Sequence, residues 1–268
     1  MFQHANLYAD LHAPAEAGGP NLTVPGANHL TGAEATVRML EAHGVTHIFG
    51  LCGDTTLPLY DALARLDHGI THFLTRDERH AAYMADGYAR VTGKPGVCEG
   101  PSGGGATYIL PGLAEADESS IPVLALTTDV ATTAAGRYPL TELDQRALFR
   151  PVTKWNGVLD NAARLPAQFR AAFRAMTTGR PGAAHLALPF DTQRGEVPQA
   201  EIRADPRHAS YPSERAAPDP AAIRAAADVL IEARAAVAIC GGGPVIAGAE
   251  AALARIAELL DLPVATTV

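Results

Sequence analysis

The chain has 268 residues, 47% of them apolar and 19% charged, with a formal net charge of -8. That is the balance of a soluble globular protein with room for one large or two medium domains, and it argues against non-specific nucleic-acid binding, which needs basic side chains to neutralise phosphates. No apolar run is long enough to span a bilayer, and no basic-then-apolar leader opens the chain. The expectation is therefore a cytoplasmic protein with neither nucleic acid nor membrane as partner. Cys52, Cys98 and Cys240 stand far apart, form no C-x-x-C pair, and suggest neither a disulfide framework nor zinc.

Residues 1–29 are rich in Ala, Pro, Gly and Asn, lack periodicity, and are expected to be a poorly ordered extension. Thr31 and Glu34 then make a capping box, so a helix is expected to run from there to His43, with Gly44 ending it. A strand follows at 46–49, a helix over 57–66 and a strand over 70–75. The next helix spans 78–92, closed by Gly93. A strand at 96–99, a helix at 104–117 and a strand at 122–127 continue the series. After a loop with a short helix come a strand near 152–158, a helix at 163–178 and a strand at 183–188. Such alternation with short turns predicts an α/β fold, a mostly parallel sheet with helices on both faces.

Residues 191–218, rich in Pro, Arg, Glu and Ala, are read as a linker. A second unit follows, with a helix near 219–233, a strand at 235–240, a helix at 245–260 and a strand from Pro263. One strand-helix-strand unit cannot cover both faces of a sheet, so it is expected to be the beginning of a truncated second α/β domain. Its Gly241-Gly242-Gly243 turn resembles a phosphate loop. G-x-G-x-x-G, however, fails at Ile246, and a tight turn or a relic of flavin or nucleotide binding is the better reading.

Four segments of the first unit could carry chemistry. Thr75-Arg76-Asp77-Glu78-Arg79-His80 sets five ionisable side chains at the carboxyl end of a strand, where ligands bind in open α/β sheets. It equally suits a solvated helix start, where acids favour the helix dipole. The small residues after it (Ala81, Ala82, Ala85, Gly87, Ala89) point to close packing and a buried Glu78. Ser102-Gly103-Gly104-Gly105-Ala106-Thr107 exposes backbone N–H groups at a helix start, as a plain turn or as a ligand loop. In Gly53-Asp54-Thr55, Asp54 or Thr55 could cap the following helix. Lys154, at the start of a strand, is either a surface lysine or, in a cleft, a carboxylate attractor.

Taken together and in order, these segments, with Phe49–Leu57, Arg150-Pro151-Val152-Thr153-Lys154 and Thr178-Gly179-Arg180-Pro181-Gly182, resemble the acetolactate synthase-like family of thiamine diphosphate enzymes. The likeness covers about 28–190, the pyrimidine-binding domain of that family, and resumes near 219 at the opening of its central domain. It implies that Glu78 hydrogen-bonds N1′ of the aminopyrimidine, so that the cofactor can lose its C2 proton and attack the carbonyl of a 2-oxo acid. It further implies that Gly53, Ser102, Gly103 and Gly104 approach the cofactor. Asp54 takes part in proton relay, and Thr55, Gly105, Thr107 and Lys154 lie on the substrate side.

The chain also departs from the family pattern. Asp77-Glu78-Arg79-His80 stands where acetolactate synthases have His-Glu-Gln-Gly, Gly104 and Tyr108 replace Pro and Asn, and Leu140-Thr141 replaces Phe-Gln. This favours a related decarboxylase or carboligase. The family's magnesium-binding Gly-Asp-Gly and Asn-Asn motifs are missing, so the diphosphate and Mg2+ are expected to be held by a domain outside this chain. A homodimer, a tetramer or a partner chain is implied. The resemblance also admits FAD as a cofactor, and the competing reading is a non-catalytic or regulatory flavin-binding member of the same fold.

Overall fold

The computed structural model describes residues 28–267. The expected extension over 1–29 therefore lies outside the described residues, except at its last two positions. The elements run in order as β1 (His29–Thr31), α1 (Gly32–Ala42), β2 (His47–Gly50), α2 (Leu57–Arg65), β3 (Thr71–Leu74) and α3 (Glu78–Thr92), then β4 (Gly96–Gly100), α4 (Gly104–Glu118), β5 (Val123–Asp129), α5 (Gln145–Phe149), β6 (Trp155–Val158) and α6 (Leu165–Thr177). The chain continues through β7 (Ala184–Pro189), α7 (Phe190–Arg194), β8 (Glu196–Pro198), α8 (Pro220–Glu232), β9 (Ala238–Cys240), α9 (Gly243–Ala247), α10 (Glu250–Leu260) and β10 (Val264–Thr266).

Six strands form one sheet in the order β3-β2-β4-β5-β7-β6, every neighbouring pair parallel. Because strand side chains alternate, each face gathers its own core. Val97, Leu124 and Leu126 point to the face covered by α1, α2 and α6, with Met39, Leu59 and Phe173 among their neighbours. Cys98, Val123 and Ala125 point to the face covered by α3 and α4, with Ala81, Ile109 and Leu113. All seven residues of β5 are buried, as expected of a central strand covered on both sides.

Local chemistry sets the helix ends. Thr31 and Glu34 form the expected capping box, Glu34 N donating to Thr31 Oγ1 at 3.2 Å and Thr31 N to Glu34 Oε2 at 2.9 Å. Asp77 caps α3 by accepting from Arg79 N at 2.8 Å, and Gly93 closes it in the left-handed conformation. The close packing expected of the alanines in α3 is against α4: a Cβ on Gly112 would lie 2.6 Å from that of Ala82.

The segment read as a linker carries more structure than its composition suggests. Within it lie most of α7 and all of β8, which pairs antiparallel with β1, and Gln193, Val197 and His208 are buried. Beyond it, β9 and β10 pair in parallel, the single helix expected over 245–260 is split into α9 and α10, and no residue of 219–267 is buried.

Candidate active site

The carboxyl ends of β2, β3, β4 and β5 meet at one edge of the sheet, and the loops leaving them build the site. From β3 the chain turns through Thr75, whose N–H and hydroxyl both donate to Gly50 O, at 2.8 and 3.2 Å. The hydroxyl also lies 3.0 Å from Asp77 O. This turn sets Glu78 as the first residue of α3, only 8% exposed despite its charge. Its carboxylate lies against two residues that lack a side chain. A Cβ on Gly105 would stand 2.9 Å from Glu78 Oε1 and 2.6 Å from Pro101, and one on Gly100 would stand 3.3 Å from Glu78 Cγ. Any side chain at Gly105 would therefore fill the space the carboxylate uses.

The loops after β2 and β4 are locked together by hydroxyl groups. Thr128 donates to Thr55 Oγ1 at 2.7 Å, and Thr55 donates to Ser102 Oγ at 3.2 Å. Ser102 N returns a bond to Thr55 Oγ1 at 3.1 Å, and Ser102 Oγ lies 2.7 Å from Thr141 Oγ1. Gln193 Nε2 holds the carbonyls of Thr55 and Leu188 at 2.9 and 3.0 Å. Gly53 lies against Pro101, where a Cβ would approach to 2.5 Å. Thr128 and Gln193 are absent from the residues singled out by sequence, and Thr141 figures there only as a departure from the family pattern. A signal existed for Thr128, the middle one of the polar residues Thr127, Thr128 and Asp129 that follow the apolar start of β5 at the ligand-binding edge.

The structure brings Glu78, Gly53, Thr55, Ser102, Gly103 and Gly105 together at this edge. Asp54 is exposed at the start of the turn Asp54–Thr56 and does not cap α2, whose N-cap position is Thr56; Thr56 Oγ1 instead accepts from Gly53 N at 2.9 Å. Gly104 opens onto free space, and Thr107 spends its hydroxyl on Gly104 O at 2.7 Å within α4.

Lys154 is a correction. It precedes β6, so in a parallel sheet it stands at the amino edge, opposite the site. Its Nζ donates to the carbonyls of Ala175, Thr178 and Arg180 at 2.6, 2.9 and 2.6 Å. All three ammonium donors are thus spent on the end of α6, as a cation at a helix carboxyl terminus favours. Burial pushes its pKa down.

Three of the departures near Glu78, namely Asp77, Arg79 and Tyr108, form one cluster. Arg79 chelates Asp77 through Nε and Nη2 at 2.8 and 2.6 Å, and its guanidinium stands 5.4 Å from the centre of the Tyr108 ring. The Arg79 guanidinium holds the Asp77 carboxyl well below the usual carboxylate range. Beside it, Leu74, Thr75, Arg76, His80, Tyr83 and Met84 line an open cleft of about 470 Å³. Among the described residues no group of three or more His, Cys, Asp or Glu side chains is placed to hold a metal ion, and no helix is long and apolar enough to cross a membrane.

A buried glutamate leading a helix at the carboxyl edge of a parallel sheet, cradled by a glycine loop, is what comparison with known proteins meets. Residues 30–148 match the family profile described as "Thiamine pyrophosphate enzyme, N-terminal TPP binding domain". The chain belongs to the thiamine pyrophosphate enzymes, in their acetolactate synthase-like branch. It is similar to a probable acetolactate synthase large subunit of Methanocaldococcus jannaschii, 43% identical over 240 residues, covering 89% of this chain and 40% of the relative. It is similar to the acetolactate synthase of Arthrospira platensis, 38% identical over 242 residues, covering 89% and 42%. It also resembles that of Mycobacterium bovis, 37% identical over 243 residues, covering 89% and 38%. The chain thus spans about 40% of the length of the curated relatives it matches. The cofactor of the family is thiamine diphosphate, and the glycine-cradled carboxylate of Glu78 is an acceptor suited to a protonated or imino ring nitrogen.

Proposed function

We propose that this chain supplies the pyrimidine-binding half of a site for non-oxidative decarboxylation or carboligation of a 2-oxo acid. The observation that carries the reading is Glu78, a carboxylate 8% exposed, wedged against Gly100 and Gly105 beside a hydroxyl-tied loop. Thiamine diphosphate supplies the nucleophilic carbon and the electron sink when bound. The residues of this chain do the rest of the work on this side. Glu78 would hydrogen-bond N1′ of the aminopyrimidine and share a proton with it, and Gly103 and Gly105 would allow the ring to approach the backbone. Ser102 and Thr55 fix the loop that limits substrate access, and Asp54, exposed next to Thr55, is the group to move a proton at the reacting end.

The diphosphate and its magnesium require oxygen ligands plus phosphate. We assign them to sequence outside this chain, on a further domain or another subunit, so the complete site is expected to need an oligomer or partner chain in a cytoplasmic enzyme. Arg79, drawn off to Asp77 and Tyr108, leaves Glu78 uncrowded, which supports the catalytic reading over a non-catalytic flavin-binding one. The test is thiamine diphosphate-dependent release of carbon dioxide from a panel of 2-oxo acids by the complete protein. Absence of turnover together with yellow, flavin-loaded protein would favour the other reading.

A further inference from the structure

A second buried glutamate lies beside the site, with no part in the chemistry above. Glu99 is on β4, 1% exposed, two residues after Val97 and therefore on the α1, α2 and α6 side of the sheet. Glu78 approaches the same strand end from the α3 side, against Gly100. The two carboxyl groups straddle the end of β4.

Glu99 Oε1 accepts from Tyr60 Oη at 2.5 Å and lies 3.2 Å from His72 Nε2, while Tyr60 Oη and His72 Nε2 are 3.1 Å apart. The three groups close a triangle. Its carboxyl crosses β2 at Gly50, its register partner, where a Cβ would stand 1.7 Å from Oε1. Glu99 Oε2 is buried without a hydrogen-bond partner among the described residues. The His72 side chain is 16% exposed and gives the triangle an outlet to solvent.

Leaving a buried carboxylate oxygen unpartnered is costly, and two ionised carboxylates close together are costlier still. We propose that Glu99, Tyr60 and His72 form a proton store under the floor of the candidate active site, and that Glu99 is a positioning residue acting on Glu78. Glu99 holds the proton. A hydronium ion gives its proton to His72 Nε2 and leaves as water; the imidazolium passes that proton to Glu99 Oε1 and returns to neutral imidazole, and the same steps in reverse return the proton to solvent. The groups that act on Glu99 are His72 on β3, Tyr60 on α2 and Glu78 on α3; burial pushes the Glu99 carboxyl up, and the charge of Glu78 adds to that. With Glu99 neutral, no second buried charge opposes Glu78 across the end of β4. The inference rests on the function proposed above.

The test begins with the infrared spectrum of the full chain at neutral pH. A carbonyl stretch of a protonated carboxylic acid is expected, absent in Glu99→Gln and shifted in Tyr60→Phe, which removes the short bond to Oε1. In the complete enzyme, Glu99→Gln is expected to slow C2 proton exchange by about tenfold or more, to lose its alkaline fall-off, and to bind thiamine diphosphate within about twofold of wild type. A silent infrared region, or an unshifted band in Tyr60→Phe, overturns the store. An unchanged exchange rate and pH profile in Glu99→Gln overturns the action on Glu78. If Glu99→Gln does not fold, Tyr60→Phe and His72→Gln carry the same kinetic test. Failure of wild-type protein to bind thiamine diphosphate would instead overturn the proposed function, leaving the infrared assignment intact but without the purpose given to it.

Discussion

Glu78 and Gly105 compete for one volume, and each can be tested through the other. Glu78→Gln keeps the shape and removes the proton acceptor. C2 proton exchange in the complete enzyme, followed by NMR in deuterium oxide, is expected to fall by about 10²-fold or more. Gly105→Ala leaves the glutamate in place and fills its space. A Cβ 2.6 Å from Pro101 and 2.9 Å from Oε1 displaces the carboxylate, so thiamine diphosphate affinity, read by tryptophan or cofactor fluorescence, is expected to drop while the circular dichroism spectrum holds. The burial of Glu78 was legible in the alanine-rich helix that follows it; the role given to it comes from the family resemblance. Glu99 was not: in Gly96-Val97-Cys98-Glu99-Gly100 a lone acid reads as a strand terminus. Only the sheet shows it folded under Gly50. Thr141 stands out in the sequence as a departure from the family pattern, but its contact with Ser102, 39 positions away, does not.

Among the elements, the helices and the six main strands follow from capping, periodicity and turn glycines, and α3 matches its expected bounds at both ends. What composition hid is the pairing of β1 with β8, three residues each, too short to show alternation. It also hid the role of Lys154. A lysine preceding a strand has the same local pattern whichever edge of the sheet it serves; the direction of β6 decides it. Its three carbonyl partners close α6, so Lys154→Met is expected to cost about 1–3 kcal/mol, read as a lower urea midpoint. Cofactor affinity should be unchanged; a loss of affinity at constant stability would return Lys154 to the site.

At the scale of the whole molecule, opposing groups shape the dependence of stability on pH. His185 is fully buried, stacked on Phe149 at 3.7 Å, and burial lowers its pKa to about 3; burial lowers that of His43 to about 4. Both are neutral when folded and gain protons more readily when unfolded. Their contribution is therefore complete above about pH 6.5 and is lost as pH falls through that value towards 4 and 3. Glu99, raised by burial, acts with the opposite sign, its stabilisation present below about 4.5 and lost as pH rises towards its folded value. Denaturant midpoints across pH are expected to fall on the acid side in wild type and to fall less in His185→Gln. The unit from 219 on buries nothing of its own, leaving Ile223, Ile231 and Ile239 exposed. Removing residues 219–268 is accordingly expected to leave the unfolding temperature of the first unit within about 3 °C and to improve its solubility.

The alternation that separates the two cores also limits how the gene can change length. Only Gly93, Lys94 and Pro95 join α3 to β4. One residue added or lost there would slip β4 and exchange the faces of Cys98, Glu99 and Gly100. The acid would then be driven among the alanines of α3, and Glu78 would lose the bare backbone it rests on. Insertions and deletions are thus barred from this short turn and are admissible in the longer stretch between β5 and α5, where Tyr138 and Leu140 already stand almost wholly in solvent.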